Sequence, residues 1–372
     1  MTMFTEFDHR MMRRALELAE RGRYSTDPNP RVGCVIVQGE RIVGEGWHRK
    51  WGEPHAEPIA LAAAGPEAKG ASVYVTLEPH SYQGRTPPCT DALIRAGVRR
   101  VVCAAIETNP KVAGRGLDQL RQAGIEVAQG LLEADAQALN KGFDKRMRTG
   151  LPRLIVKIAA SLDGRIALSN GESRWITGEL ARADVHRLRA QSSAVLTSID
   201  TVLADDPQLT VRDPTIDLAG RAPMRVVLDS NLRMPTSARM LREPGTTLVF
   251  TSDRADASRA SEMEAAGVKL IRVPLADDGR ISTRAVLREL GARLCNDVLV
   301  EAGPTLCGSL IQQELADELI VYIAPKLLGP DARAMAKLPQ LSTLADARSF
   351  TLVDSERFGD DVKLTYRPST DR

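Results

Sequence analysis

The sequence predicts a two-domain α/β protein, on three observations. Its 372 residues are many for a single core. Strand-like and helix-like patterns alternate along most of the chain, as sheets covered by helices require. The segment RTGLPR, residues 148–153, carries Gly150 and Pro152 and breaks the alternation, which places the domains at 1–149 and 150–372.

In the first half, residues 6–21 show helical periodicity, with Phe7, Met11, Leu18 and several alanines on one stripe. VGCVIV and IVGEGW, joined by the turn-like QGER, read as a hairpin. PHAEPIALAAAG reads as a helix preceded by Pro54 and ended by Gly65. SVYVTL is a strand, DALIRAG a short helix, RRVVCAAI a strand, LDQLRQAG a helix and IEVA a strand. One further helix is expected from Leu132 to Met147. The alternation predicts a mostly parallel sheet covered on both faces.

A second alternation starts at LIVKIAASLDG. Its strand candidates are RVVLDS, TTLVFTS, VKLIRV, NDVLVEAG and ELIVYIAP, with helices at 178–190, 258–266, 283–293 and 303–314. The region from Leu328 to Leu352 gives weak signals, and no internal repeat is present.

Composition narrows the function. The net charge is +2 with no basic run, and aromatics make up 4%, which disfavours both phosphate neutralisation and base stacking. A nucleic-acid partner is therefore not expected. No stretch approaches a membrane span, and the acidic start MTMFTEFDHRMM has no apolar leader-like core. The five cysteines, Cys34, Cys89, Cys103, Cys295 and Cys307, are odd in number and scattered, so a reducing cytoplasm is expected. Cys34 and Cys103 sit in apolar runs and read as small buried side chains.

One constellation carries metal chemistry. Histidine is rare, yet three of the five fall between positions 48 and 80. His55 and Glu57 stand at the start of a predicted helix, and Cys89 opens another after Pro87 and Pro88. A thiolate at a helix N-terminus is favoured by the helix field. His80 follows the strand SVYVTL, so His55, His80 and Cys89 gather at one sheet edge as ligand candidates. A hydrolytic metal site needs three protein ligands, an open position and a nearby acid/base, here Glu57. A lone His-x-Glu occurs often by chance, and a cysteine after two prolines can simply cap a helix; the ordered combination is far more specific. His and Cys ligands suit zinc best, with other borderline metals left open.

The second half lacks G-x-G-x-x-G, so no Rossmann fingerprint is present. NDVLVEAGPTLCGSL reads as a strand, a small-residue turn and a helix, whose first amides could meet an anionic cofactor or simply connect two elements. Arg189 and Arg212 could hold a phosphate, but by residue type alone each reads as a solvated charge. Glu301 ends an apolar strand and Lys157 lies inside one, and burying either costs unless it meets a partner or ligand. Both are pocket candidates.

The runs DPNPRVGCVIV, GEGWH, GEPHAE, TLEP…GRTPPCTDALI, NPKVAGRGL, LNKGF and KRMRTGLP together resemble the bifunctional riboflavin-biosynthesis deaminase/reductases. KIAASLDGRIAL, GESRWIT, LRAQSSAVL, TVLADDPQLTVR, VEAGPTL and ELIVYIAPKLLG extend the resemblance over nearly the whole chain. It implies an N-terminal cytidine-deaminase-like domain that removes the 2-amino group of a diaminopyrimidinone carrying a phosphoribosylamino chain. It also implies a C-terminal domain similar to dihydrofolate reductase, which reduces the opened ribose to a ribityl chain with NADPH. Zn2+ and NADPH are thus the implied cofactors, a small phosphoribosyl-pyrimidine the implied substrate, and a homodimer or higher homo-oligomer the implied assembly.

Position by position, the resemblance implies that His55 binds zinc, that Glu57 moves protons and that Cys89 is a second ligand. The family's remaining zinc cysteine falls on His80, a departure. Exchanging thiolate for imidazole would raise the charge of the site by one unit and make the metal a stronger Lewis acid. Asn29, His48 and Arg85 match substrate positions, and Tyr82 stands where the family often has histidine. Ser173, Arg189, Leu209, Arg212 and Glu301 match substrate positions of the reductase half. Ala159, Trp175, Thr201, Asp205, Ser230 and the run Gly303, Pro304, Thr305, Leu306, Cys307, Gly308, Ser309 match NADPH positions. The alternative reading, motivated by His80, is a reductase whose deaminase half is kept as a scaffold. A nucleic-acid-editing deaminase is a second rival, disfavoured by the charge and by the motifs of the second half.

Overall fold

The computed structural model describes residues 4–84, 86–109 and 113–369. The chain divides into two compact units, Met1–Gly150 with Asp217–Arg221, and Leu151–Ile216 with Ala222–Arg372.

The first unit begins with α1 (Glu6–Glu20), started by a capping box between Thr5 and Asp8. It continues through β1 (Gly33–Gln38), β2 (Arg41–Trp47), α2 (Ala56–Ala64), β3 (Ser72–Leu77), α3 (Cys89–Ala96) and β4 (Arg100–Ala105). It closes with α4 (Arg115–Gln122), β5 (Glu126–Gln129), α5 (Glu133–Leu139) and α6 (Lys141–Thr149). The strand order is β2-β1-β3-β4-β5. β3, β4 and β5 are parallel, but β1 is antiparallel to both of its neighbours. Four of the five strands therefore point the same way, as a mostly parallel sheet requires, and β1 alone runs against them. Apolar residues cover both sheet faces: Ile36, Val73 and Leu93 on the α2–α3 side, Met12, Leu18 and Val102 on the α1 side.

Two features of this unit position the site. A Cβ at Gly44 would lie 2.2 Å from the Ala60 carbonyl oxygen, and one at Gly46 would lie 2.4 Å from that of Ala56. These β2 glycines let α2 lie directly on the strand. The single helix expected from Leu132 to Met147 is instead two, broken at Asn140. The Asn140 amide accepts from the Arg31 backbone N–H at 2.8 Å and donates to its carbonyl at 3.0 Å.

The second unit contains β6 (Arg153–Ser161), β7 (Arg165–Ala167), α7 (Glu179–Gln191), β8 (Ala194–Ser198), α8 (Ile199–Asp205), β9 (Met224–Leu228) and β10 (Thr247–Thr251). There follow α9 (Ala257–Ala265), β11 (Lys269–Arg272), α10 (Thr283–Ala292), β12 (Asp297–Val300), α11 (Pro304–Gln312) and β13 (Glu318–Ala324). β14 (Arg333–Ala334), β15 (Phe350–Phe358) and β16 (Asp361–Pro368) complete it. The main sheet runs β11-β10-β9-β8-β12-β6-β13-β16-β15. Its first seven strands are parallel and the last two form an antiparallel hairpin. β12 returns between β8 and β6, so the strand order switches there, the place where open α/β sheets put their ligands. The sequence reading missed β8, α8 and the hairpin. Among the described residues, no helix is long and apolar enough to cross a membrane.

Candidate active sites

In the first unit, His55 is the N-cap residue of α2 and Glu57 lies in its first turn, buried. Cys89 is the first residue of α3, also buried. The His55 Nδ1 lies 3.3 Å from the Cys89 Sγ, and the His55 Nε2 lies 3.3 Å from the Thr86 Oγ1. Ligand atoms of His55, Glu57 and Cys89 all fall within 4.8 Å of one another. A cavity of about 400 Å³ opens over them, within the size range of small-molecule sites. Asn29, His48 and Phe143 line it, with Trp51 and Tyr82 at exposed positions.

His80 is not within that 4.8 Å set. Its ring meets the His55 ring edge-on with centroids 5.4 Å apart, and the Tyr82 ring at 4.1 Å. The His80 Nδ1 is buried and makes no hydrogen bond among the described residues. A buried polar atom without a partner is costly, and a metal ligand bond at that nitrogen would satisfy it. Together with the facing Nδ1 and Sγ of His55 and Cys89, this donor set fits a zinc ion.

The electrostatics are those of a site short of positive charge. Burial pushes the Glu57 carboxyl up to about 7, against hydrogen bonds from its own backbone and from Cys89. Burial, then Glu57, pushes the Cys89 thiol far above its usual range. Burial, then His48 and His80, pulls His55 down to about 4. A bound cation reverses this logic for the thiol, which must lose its proton to ligate.

Next to the cluster, the His48 Nδ1 lies 3.1 Å from the Pro54 carbonyl oxygen and its Nε2 lies 3.0 Å from the Asn29 Nδ2. Arg85 lies outside the described residues. Glu78, in the TLEP run, accepts from the backbone amides of Glu107, Gly114 and Gly116 at 3.2, 2.9 and 2.8 Å. It fixes the loop that leads into α4. Neither this role nor the Thr86 contact was read from the sequence, although Thr86 lies inside the quoted GRTPPC.

In the second unit, Lys157 and Ala159 lie on β6, Arg189 on α7, Thr201 and Asp205 on α8, Ser230 just after β9 and Glu301 just after β12. Arg189, on α7, is not a solvated charge as its type suggested: its Nε and Nη2 donate to both Glu301 oxygens at 2.5 and 3.0 Å. Burial would raise the Glu301 carboxyl, but the Arg189 guanidinium overrides it and holds the group below its usual range. Burial lowers the Lys157 amine, opposed by Glu301, and its Nζ sits 5.7 Å from the Tyr322 ring centre. Leu209 is buried with φ +52°, an unusual conformation for a leucine. Arg212 is exposed, and its Nη1 donates to the Thr210 Oγ1 at 3.1 Å.

Gly303 is the N-cap residue of α11, and no side chain caps that helix. Its amide donates to the Thr201 Oγ1 at 3.2 Å. Pro304 has no N–H, so the first-turn amides of α11 left without a side-chain cap are those of Thr305 and Leu306, donors that suit a phosphate. Trp175 is 63% exposed, with the Arg182 guanidinium 4.6 Å from its ring centre. The Ser173 Oγ lies 3.5 Å from an Asp205 oxygen, and Arg174 donates to the Asp205 carbonyl. Ala159 is on β6, and the Ser230 carbonyl accepts from the Ser252 Oγ at 2.9 Å. The run from Gly303 to Ser309 is not uniform. Pro304 and Thr305 are half-buried, whereas Leu306 and Cys307 pack in the core and a Cβ at Gly308 would lie 2.1 Å from the Lys337 carbonyl oxygen.

Comparisons with known proteins cover both units. Residues 5–105 match the family described as the cytidine and deoxycytidylate deaminase zinc-binding region, and residues 152–364 match the RibD C-terminal domain. The riboflavin biosynthesis protein RibD of Escherichia coli is 52% identical over 96% of this chain and 98% of its own length. That of Haemophilus influenzae is 48% identical over 99% of both. Among solved structures, Acinetobacter baumannii RibD superposes with a TM-score of 0.92 at 45% identity, covering 98% of this chain and 99% of its own. A Thermotoga maritima structure described as a diaminohydroxyphosphoribosylaminopyrimidine deaminase/5-amino-6-(5-phosphoribosylamino)uracil reductase superposes at 0.85 with 34% identity, covering 98% and 99%.

Proposed function

The chain belongs to the riboflavin-biosynthesis deaminase/reductase family, and on that footing we propose which of its residues carry each reaction. It is a bifunctional enzyme, a zinc-dependent deaminase in the first unit and an NADPH-dependent reductase in the second. The substrates assigned to it are those in the description of the Thermotoga maritima relative, both phosphoribosylamino pyrimidines.

In the deaminase half, His55, Cys89 and His80 hold the zinc. Zinc bound there lowers the pKa of its water towards ~7. The observations that carry the ligand set are the His80 Nδ1, without a hydrogen-bond partner among the described residues, the 5.4 Å between the His80 and His55 ring centres, and the facing His55 Nδ1 and Cys89 Sγ. Thr86 accepts from the His55 Nε2–H, which leaves the Nδ1 lone pair towards Cys89. Glu57, buried in the first turn of α2 within 4.8 Å of the His55 and Cys89 ligand atoms, is placed to take a proton and deliver it to the ring nitrogen and the leaving amine. His48 must donate from Nδ1 to the Pro54 carbonyl, so its neutral Nε2 accepts from the Asn29 amide. That leaves the Asn29 Oδ1 as an acceptor for a ring N–H. Arg85 completes the reading as a phosphate-binding residue.

In the reductase half, Arg189 and Glu301 form a rigid pair that orients the substrate, with Ser173, Leu209 and Arg212 around it. Lys157 is a buried amine beside Glu301, suited to holding or donating a proton. NADPH, when bound, supplies the hydride; its phosphates are assigned to the open α11 N-terminus, with Ala159, Trp175, Thr201, Asp205, Ser230 and the run through Ser309 around it. Free thiols at Cys34, Cys89, Cys103 and Cys307 support a reducing cytoplasm. The exposed edge strand β15, with Leu352 and Val353 facing out, supports a homo-oligomer built through this half.

The test is metal analysis of the purified protein together with both assays. About one zinc per chain, chelator-sensitive deamination and chelator-insensitive reduction are expected. A metal-free protein that reduces the deaminated intermediate but never deaminates would overturn the deaminase assignment and leave the scaffold reading.

A further inference from the structure

His186 has no part in the assignments above, yet it touches the loop that carries two of them. It lies on α7, three residues before Arg189. The Arg212 backbone N–H donates to the His186 Nδ1 at 3.2 Å. Two residues earlier in the same loop stands the Thr210 backbone carbonyl. That carbonyl accepts from the Arg189 Nη1 at 2.9 Å, while the Thr210 hydroxyl accepts from the Arg212 Nη1 at 3.1 Å. One face of α7 thus grips residues 210–212 at two backbone atoms, the Arg212 N–H through His186 and the Thr210 carbonyl through Arg189.

The loop needs such a grip. Leu209 is buried with φ +52°, a backbone state disfavoured for leucine that persists only when its surroundings over-determine it. Arg212 follows three residues later and is exposed, so core packing does not fix its direction. Arg189 is already committed to Glu301 through two of its nitrogens. The single contact that sets the Arg212 backbone is the one to His186 among the described contacts of that amide.

We infer that His186 is a positioning residue of the reductase half: through its Nδ1 it holds the Arg212 backbone so that the guanidinium meets the anionic end of the phosphoribosyl substrate. The inference rests on the reductase assignment of that cluster. It requires the neutral imidazole, because an amide N–H can only be accepted by an unprotonated nitrogen. His186 acts through Arg212 and needs no contact with substrate or cofactor.

The test compares His186→Ala and His186→Asn with wild type in the full chain, using the deaminated substrate and NADPH. Asparagine places an acceptor oxygen near the position of Nδ1; alanine places none. His186→Ala should raise the KM for the pyrimidine substrate about ten-fold with kcat within about two-fold, the pattern of lost uniform binding. The KM for NADPH and the deaminase activity of the same chain should stay at wild-type values, and His186→Asn should recover most of the substrate KM. An unchanged substrate KM in His186→Ala overturns the inference. So does a parallel loss in NADPH KM, deaminase activity and His186→Asn, which would mark a merely structural histidine. A wild-type chain without reductase activity would instead overturn the assignment beneath it.

Discussion

Two buried glutamates are handled in opposite ways by the two halves. Glu301 meets the Arg189 guanidinium through both oxygens and is held ionised below its usual range. Glu57 meets a thiol and its own backbone, and burial pushes it up to about 7. Each is close to fully buried, so the desolvation cost is similar and the partner decides the outcome. The reductase carries its counter-charge within the fold, whereas the deaminase obtains its positive charge from a metal. The first site is therefore preformed as protein, and the second depends on what the protein binds.

The largest effect expected from this contrast is at Glu57. Glu57→Gln keeps the shape but removes the proton carrier, and should lower deamination by about 10²–10⁴-fold with reduction unchanged. A matching fall in reduction would break the separation. Arg189→Ala should strand the Glu301 charge and cost the second unit about 3–5 kcal/mol, read as a lower denaturation midpoint together with lost reduction. Adding Glu301→Gln should restore much of that stability but not the activity. Chelation should act on the first unit alone, removing about 2.7 kcal/mol of stabilisation if free zinc had stood at about 100 times its Kd. Differential scanning calorimetry with both assays reads that asymmetry.

The smallest effect lies away from both sites. Burial would raise the Asp8 carboxyl, but hydrogen bonds from Tyr74, Thr5 and Arg100 outweigh it and hold the group well below its usual range. A carboxylate with a depressed folded pKa stabilises above its unfolded pKa, near 4, and loses that contribution as pH falls further. Asp8→Asn should thus cost about 1–3 kcal/mol at pH 7 and progressively less below pH 4 in urea titrations.

Local pattern made much of the first site legible. His55, Glu57 and Cys89 each sit at a helix start marked by proline, so their placement follows from capping and spacing over a few residues. The relation of His80 to them depends on the path of residues 81 to 88, which no periodicity describes. The Arg189–Glu301 pair joins residues 112 apart in sequence, and its neutrality could not be read from either one. Residue type therefore made Arg189 look solvated when it is buried and paired. The β15–β16 hairpin escaped for another reason: β15 is almost wholly exposed and offers no apolar face for a pattern to reveal. The β1–β2 hairpin was legible too, because its alternating strands are joined by a short turn, and it turns only β1 against the other four strands.

The central claim is that the deaminase half completes its charge with a metal held in part by His80. The most direct measurement is the zinc Kd of wild type and His80→Ala, by competition with a chromophoric chelator at fixed pH. Loss of a direct ligand should weaken binding by more than about 100-fold, beyond the ~10–100-fold that losing an outer-shell partner costs. A Kd in His80→Ala within a few-fold of wild type would contradict the claim and leave His55 and Cys89 to hold the metal without it.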